Sequence, residues 1–307
     1  MLGNKYMVSV VIISYNQKNF IAKTIESVLS QKTNFEYEII MTDDHSSDGT
    51  IEIIKIFQAK SKHNISLIES KTNVGPYRNG LQGYKCAKGK YVIWIDGDDY
   101  WDFETKLQIQ TDFLEAHNDY VGCFHDARII HKVDTSGRSS NQSQGEFKLY
   151  SQFNEYRSEF SPWHLLKRNL IPTASLLFRN GINLENIFAS KNDELSLNWA
   201  LQLSIIKNNK FKYFNEPWSV YNDHPNGISK TRSLLDFKKA NINILQNLLL
   251  DVFYKGLARD IYECMANEYL QILLAPEIKN CNSIFIKDTK TNYLQACRNT
   301  VNLINST

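Results

Sequence analysis

Nowhere in the 307 residues is the chain apolar for long enough to cross a bilayer, so a spanning helix is not expected and any membrane contact is peripheral. Charge of one sign is missing too: 35 Lys and Arg stand against 33 Asp and Glu, and a net charge of +2 provides no strong basic field. With no dense Lys/Arg block interleaved with aromatics, nucleic acid is not an expected partner. The five cysteines, Cys86, Cys123, Cys264, Cys281 and Cys297, show no CxxC or His-linked zinc spacing, and an odd number does not complete a disulfide framework. A reducing, cytoplasmic setting fits them, and the first seven residues show no signal-peptide apolar core. Internal repeats, low-complexity tracts and a Gly-rich basic phosphate loop are also lacking, the last of which argues against a nucleotidyltransferase.

What is present is an alternation of two periodicities. Residues 8–14, 37–42, 65–68 and 91–95 are short, β-branched, apolar runs that read as buried strands. Between them, Ile21, Ile25, Val28 and Leu29, then Ile51, Ile54 and Phe57, then residues 80–88 read as helices, with Ser47 or Asp48 the expected N-cap of the second. A helix over 103–117 and a strand over 120–125 continue the series. Such alternation predicts an α/β domain with a mostly parallel sheet flanked by helices, whose ligands collect beyond the carboxyl ends of the strands. Residues 132–152, rich in Ser, Gln, Asn and Gly, read as an exposed excursion. A strand over 174–178, a helix over 194–208 and strand-like runs at 211–214 and 218–221 follow. From about residue 230 the apolar positions recur at helical spacing, so residues 1–229 form the expected main domain and 230–307 a helical C-terminal region. Asp251, Lys255, Arg259, Asp260 and Glu263 interrupt that region and imply one-sided apolar faces.

The run from Tyr91 to Trp101 sets Asp96, Asp98 and Asp99 at the end of an apolar strand. Crowded carboxylates repel one another and lose hydration unless a cation or hydrogen-bond donors compensate them. Hard oxygen ligands favour Mg²⁺ or Mn²⁺, and such ions share their shell with water and phosphate, so the cluster implies a phosphate-bearing substrate. A solvated acidic turn is the plainer alternative. A second acidic loop, Asp43 to Gly49, falls at the same predicted sheet edge.

Taken in order, Val8 to Asn16, Asp43 to Thr50, Asn73-Val74-Gly75 with Arg78-Asn79, and Asp96-Gly97-Asp98-Asp99 resemble the GT-A glycosyltransferases of family 2. The resemblance is close over about the first 105 residues and looser to about residue 230. It implies a Rossmann-like GT-A fold and a metal-dependent enzyme that moves a sugar, with inversion, from a nucleotide diphosphate sugar to a glycan or lipid-linked glycan of a bacterial surface polysaccharide. A UDP-sugar is the implied donor and Mn²⁺ or Mg²⁺ the cofactor. By the same resemblance Asp99 is a metal ligand, Asp98 faces ribose or metal, and Asp44 reads the base. Tyr15 and Asn16 line the nucleotide pocket, with Lys71 and Arg78 bringing positive charge to it. Asp193, with Glu194 second, is the implied catalytic base before a helix, although Asn192 and Glu194 depart from the family pattern. His224 in Tyr221-Asn222-Asp223-His224 closes on the metal or diphosphate, where Asn222 replaces the usual Arg. A nucleotide-sugar-binding protein that keeps the fold without turnover is the alternative reading.

Overall fold

A computed structural model describes residues 5–131, 148–151, 157–184 and 196–305. The chain divides into two compact units, the first made of residues 1–160, 170–184 and 209–224 and the second of 161–169, 185–208 and 225–307.

The first unit is built on β1 (Val8–Ser14), β2 (Tyr37–Asp43), β3 (Ile65–Glu69), β4 (Tyr91–Asp96), β5 (Tyr100–Trp101), β6 (Tyr120–His131), β7 (Lys148–Leu149), β8 (Glu159–Phe160), β9 (Leu177–Arg179) and β10 (Lys210–Asp223). Along the sheet the order is β3-β2-β1-β4-β9-β6-β10-β5, with β7 beside β6 and β8 beside β10. β1 runs parallel to both β2 and β4, and β3 parallel to β2. β9 enters antiparallel between β4 and β6, while β6 and β10 are parallel. The sheet is therefore mixed, with its parallel block at the β3 side.

Alternation decides the two faces. Val8, Val10 and Ile12 of β1 join a core with Ile21, Ile25 and Val28 of α1 (Ile21–Leu29), Ile54 of α2 (Thr50–Lys60) and Leu107 and Leu114 of α4 (Lys106–Ala116). On the opposite face α3 (Pro76–Cys86) lies so close to the sheet that a Cβ at Gly83 would sit 2.6 Å from Val11 Cγ1 and 2.8 Å from Thr42 Cγ2. Burial on both faces explains why these strands are continuous apolar runs. Each fully buried Ile or Val contributes about 1.5–3 kcal/mol.

Four expectations change. Residue 174 belongs to a 3-10 turn (Thr173–Ser175) that precedes β9 rather than to a strand. The runs at 211–214 and 218–221 are one strand, β10, with register shifts on both sides of Pro217, which has no N–H for the ladder. Of the expected excursion, residues 148–151 include a short strand, β7, that is exposed but pairs with β6, and both Asp126 oxygens take bonds from Ser151; residues 132–147 and 152 lie outside the described residues. Gly49 rather than Ser47 or Asp48 precedes α2, although Asp48 Oδ1 still accepts the Thr50 N–H at 3.0 Å.

The second unit is helical: α5 (Pro162–Leu166), α6 (Leu197–Ile206), α7 (Ile228–Thr231), α8 (Leu234–Leu248), α9 (Ala258–Leu274) and α10 (Ser283–Asn305). Ser233 and Asp236 close a capping box at the start of α8. In α9 the buried residues Ile261, Met265, Tyr269 and Ile272 repeat at helical spacing and form a single stripe. Among the described residues no helix is long and apolar enough to cross a membrane.

Candidate active site

Strand register brings the two acidic loops together. Ser14 at the end of β1 pairs with Asp43 of β2, and Ile13 pairs with Asp96 of β4, so the loops emerge on either side of one strand at one edge.

In the first loop the carboxylates are held by the protein's own donors. Asp43 accepts the Ser46 N–H at 2.8 Å and the Ser14 and Ser46 hydroxyls at 2.9 and 2.7 Å. Asp44 is buried; Oδ1 accepts the Val74 N–H at 2.7 Å and Oδ2 the Gly75 N–H at 2.9 Å, which fixes the Asn73-Val74-Gly75 loop. Asp48 takes the Lys18 and Thr50 amides, and these bonds hold its carboxyl below the ordinary range against the opposing effect of burial. Asn16, at a φ of 51°, accepts the Ser47 N–H, while Tyr15 beside it is half exposed. Lys71 and Arg78 are exposed on the segment that Asp44 anchors.

The second loop is built differently. Gly97 is needed where it stands, because a Cβ there would lie 2.3 Å from Gln17 Oε1 and 3.1 Å from the Ile13 carbonyl. The Thr24 hydroxyl on α1 lies 2.8 Å from the Gly97 carbonyl and 2.7 Å from that of Asp99, and Ser27, one turn on, accepts the Trp101 N–H. The loop's backbone is thus pinned while its carboxylates face one another. Burial and the charge of Asp98 push Asp96 up to about 7, despite a hydrogen bond from the Thr173 side chain. Asp99 is pushed well above the usual carboxylate range by burial and by Asp98 and Asp96, and the Asn222 N–H at 3.1 Å offsets this only in part. Asp98 Oδ2 lies 2.9 Å from His224 Nε2, and the imidazole stacks on Phe20 at 4.7 Å between centroids.

Asp98, Asp99 and His224 are therefore brought together, with Tyr15 and Asn16 on the loop after β1 and Asp44 on the loop after β2. Asp193 and Glu194 lie outside the described residues. Three contributors were missed from sequence. Asn222, seen there only as a departure from the family pattern, gives its N–H to Asp99 and its side-chain amide to the Asp98 carbonyl. Thr24 was a legible clue, a hydroxyl that shares the buried stripe of α1 with Ser27 among Ile21, Ile25 and Val28. Tyr150 lies near enough for Asp99 and Asp96 to help burial raise its phenol to about 12.

Among the described residues no group of three or more His, Cys, Asp or Glu is arranged as a complete metal cage. Mg²⁺ or Mn²⁺ does not require one, since it takes one or two protein carboxylates and completes its shell with water and phosphate oxygens. Asp98 and Asp99, hard oxygen donors whose mutual repulsion the protein leaves largely uncompensated, fit that demand.

Residues 9–180, more than half of the chain, match the family described as "Glycosyl transferase family 2". An uncharacterized protein of Mycobacterium tuberculosis is 30% identical over 220 residues, which are 72% of this chain and 60% of that protein. An Escherichia coli protein named UDP-Glc:alpha-D-GlcNAc-diphosphoundecaprenol beta-1,3-glucosyltransferase WfaP is 40% identical over 115 residues, 36% of this chain and 42% of the relative. The chain thus matches less than two thirds of either relative's length. In fold it resembles the crystal structure of S. aureus TarS 1-349 in complex with UDP, at a TM-score of 0.64 and 17% identity over 94% of this chain and 80% of that one. The motif order, the mixed sheet with its paired acidic loops and the matched sequence converge on one conclusion: the chain belongs to glycosyl transferase family 2 and has the GT-A fold.

Proposed function

We propose that this protein transfers a sugar, with inversion, from a UDP-sugar to a hydroxyl of a glycan or lipid-linked glycan in bacterial surface polysaccharide synthesis. The observation that carries the reading is the set of crowded, only partly compensated carboxylates at the β4 end, beside a loop whose carboxylates are hydrogen-bonded from within. The names of the E. coli relative and of the UDP-bound S. aureus structure support the choice of uridine donor and undecaprenol-linked acceptor.

In this reading Tyr15, Asn16 and the Asp44-anchored loop receive the nucleoside. Each Asp44 oxygen keeps a second lone pair after accepting a backbone N–H, which suits it to an imide N–H of uracil. Lys71 and Arg78 face the diphosphate with positive charge. Asp98, Asp99 and His224 would hold Mn²⁺ or Mg²⁺, which when bound supplies positive charge to the diphosphate leaving group. Asp193 takes the acceptor's proton as its oxygen bonds to the anomeric carbon, and the electron pair of the breaking sugar–phosphate bond leaves with the diphosphate. Attack opposite the departing phosphate gives inversion. Transfer is carried by residues 1–229, the helical remainder being an appendage, and the protein works at the cytoplasmic membrane surface as a peripheral partner of its acceptor.

The experiment is acceptor-dependent release of UDP, measured with undecaprenyl-diphosphate-linked N-acetylglucosamine and a panel of UDP- and GDP-sugars, with and without EDTA. EDTA-sensitive release with a UDP-sugar supports the reading. Tight donor binding with no release for any acceptor would instead establish a binding protein on the same fold.

A further inference from the structure

The second unit contains a cavity of about 320 Å³ that the transfer reaction leaves without a role. Its wall carries Trp163 and Lys167 from α5 and the residue after it, and Asp260, Glu263, Asn267 and Glu268 from α9. Trp199, Leu166, Leu245 and Cys264 complete the lining. We propose that this cavity binds a neutral pyranose unit of a glycan, with the Trp163 indole as the stacking surface and the α9 carboxylates and amide as hydroxyl partners.

The indole is held in place for such a task. Its Nε1–H donates to Asp260 Oδ1 at 3.0 Å, and Lys167 Nζ sits 3.6 Å from the ring centroid. Trp163 lines the cavity and is 37% exposed, so its indole is not spent on the core. The polar atoms point to hydroxyl groups. Sugar hydroxyls both donate and accept, and this wall offers acceptors in Asp260, Glu263 and Glu268, donors in Lys167, and both in the Asn267 amide.

Charge rules out the competing ligand classes. A phosphate or nucleotide would face three carboxylates across a small cavity. A cation meets two of the protein's own: Lys238 Nζ lies 3.1 Å from Glu268, and Lys167 stands in the wall. Glu268 Oε2 is buried and out of hydrogen-bond alignment with that lysine, so it retains capacity for an O–H donor. A purely apolar ligand would strand these groups without partners. The volume lies at the lower end of the range for small-molecule pockets, roughly 300–1,000 Å³, and suits one ring better than a chain of them. Burial and the neighbouring acids raise the Cys264 thiol to about 11, so it lines the wall as a neutral group.

Ligand-observed saturation-transfer NMR on the full chain tests the assignment, using the methyl β-glycosides of glucose, galactose and N-acetylglucosamine, with spermidine and inorganic phosphate as charged probes. At least one glycoside should bind, Trp163→Ala should weaken it by about tenfold, the loss of one aromatic stacking contact, and Glu263→Gln should weaken it less. Trp163→Phe should retain part of the affinity. Asp98→Ala should leave this binding unchanged, which separates the cavity from the acidic loops of the first unit and from the fate of the transferase reading. Absence of glycoside binding overturns the proposal, as does binding indifferent to both Trp163→Ala and Glu263→Gln in variants that melt like wild type. A preference for spermidine or phosphate over every glycoside overturns it as well.

Discussion

Asp43 and Asp96 stand in register on either side of β1, and each opens an acidic loop, but the two loops handle their charge in opposite ways. Around Asp43, Asp44 and Asp48, backbone amides and serine and threonine hydroxyls supply the hydrogen bonds, so the carboxylates act as staples that fold their own loop and the one at Asn73-Val74-Gly75. Around Asp96, Asp98 and Asp99, the Thr24 and Ser27 hydroxyls are directed to the backbone instead, and the bonds that Thr173, His224 and Asn222 make to the carboxylates leave the raised Asp96 and Asp99 only partly relieved of repulsion and burial. Hydrogen bonds that satisfy a carboxylate stabilise a fold; carboxylates pinned without them hold electrostatic free energy that a cation would release. Position beyond a strand end does not by itself mark a reactive acid. The destination of the neighbouring donors does.

The largest expected effect follows from that difference. Asp99→Ala or Asp98→Ala should lower acceptor-dependent UDP release by about a thousandfold or more, the scale of losing charge stabilisation at a leaving group. The melting temperature should stay level or rise, since a repelling charge is removed. A sharp fall in stability would mean that the second loop is a staple like the first, and the contrast would collapse. Next in size, Asp193→Asn should reduce transfer by about 10²–10⁴-fold with donor affinity little changed, because the amide keeps the shape but takes no proton. If Glu194→Gln shows that phenotype while Asp193→Asn costs only about 1 kcal/mol of stability, the base is Glu194 and Asp193 a helix-start residue.

Asp44→Ala probes the stapled side. Removing the acceptor of two amide bonds should destabilise the first unit by about 2–3 kcal/mol, read from denaturant midpoints. Donor affinity should also fall, since the segment bearing Lys71 and Arg78 loses its anchor. Asp44→Asn, which keeps one carbonyl acceptor, should recover part of the stability. Unchanged stability in both variants would show that the Val74 and Gly75 amides do not depend on this side chain.

The parallel block was legible because β1, β2 and β4 are buried on both faces, which leaves mostly apolar runs, broken only by the buried Ser9, Glu38 and Thr42, with a polar stop at each carboxyl end. The stops were the acidic loops, and register alone then brought them together. β9 was misplaced because a three-residue strand holds too few positions to show a period, and the small residues Ala174 and Ser175 of the 3-10 turn before it mark no boundary. β10 looked like two strands because Pro217 interrupts a ladder that continues beyond it. At the site the ionisable residues were visible by type. Their compensation was not, because the donors that distinguish the two loops are mostly backbone N–H groups, which every residue but proline has, that of the distant Asn222 included, or side chains far away in the chain such as Thr173.

The smallest expected effect separates uncompensated charge from mere burial. His125 on β6 is fully buried: Nδ1 lies 2.7 Å from the Asp126 carbonyl, and Nε2 has no hydrogen-bond partner among the described residues. Burial, helped by the charge of Lys106, lowers its pKa well below 6.5, so the folded protein holds it neutral. Unfolded chains bind the proton first as pH falls through about 6.5, so this residue's contribution to stability is present above that pH. Below it, the contribution is lost at up to about 1.4 kcal/mol per pH unit until the folded form also titrates. Denaturant melts at pH 7.5, 6.5 and 5.5 should show His125→Gln gaining stability relative to wild type over the lower interval; Asp96 and Asp99, whose raised folded-state pKa values act in the opposite sense, contribute alike to both proteins and cancel in the difference. An unaltered slope in His125→Gln would mean that the buried imidazole accepts its proton in the folded state, and burial in this sheet would then be a weaker barrier to charge than the contrast between the two acidic loops assumes.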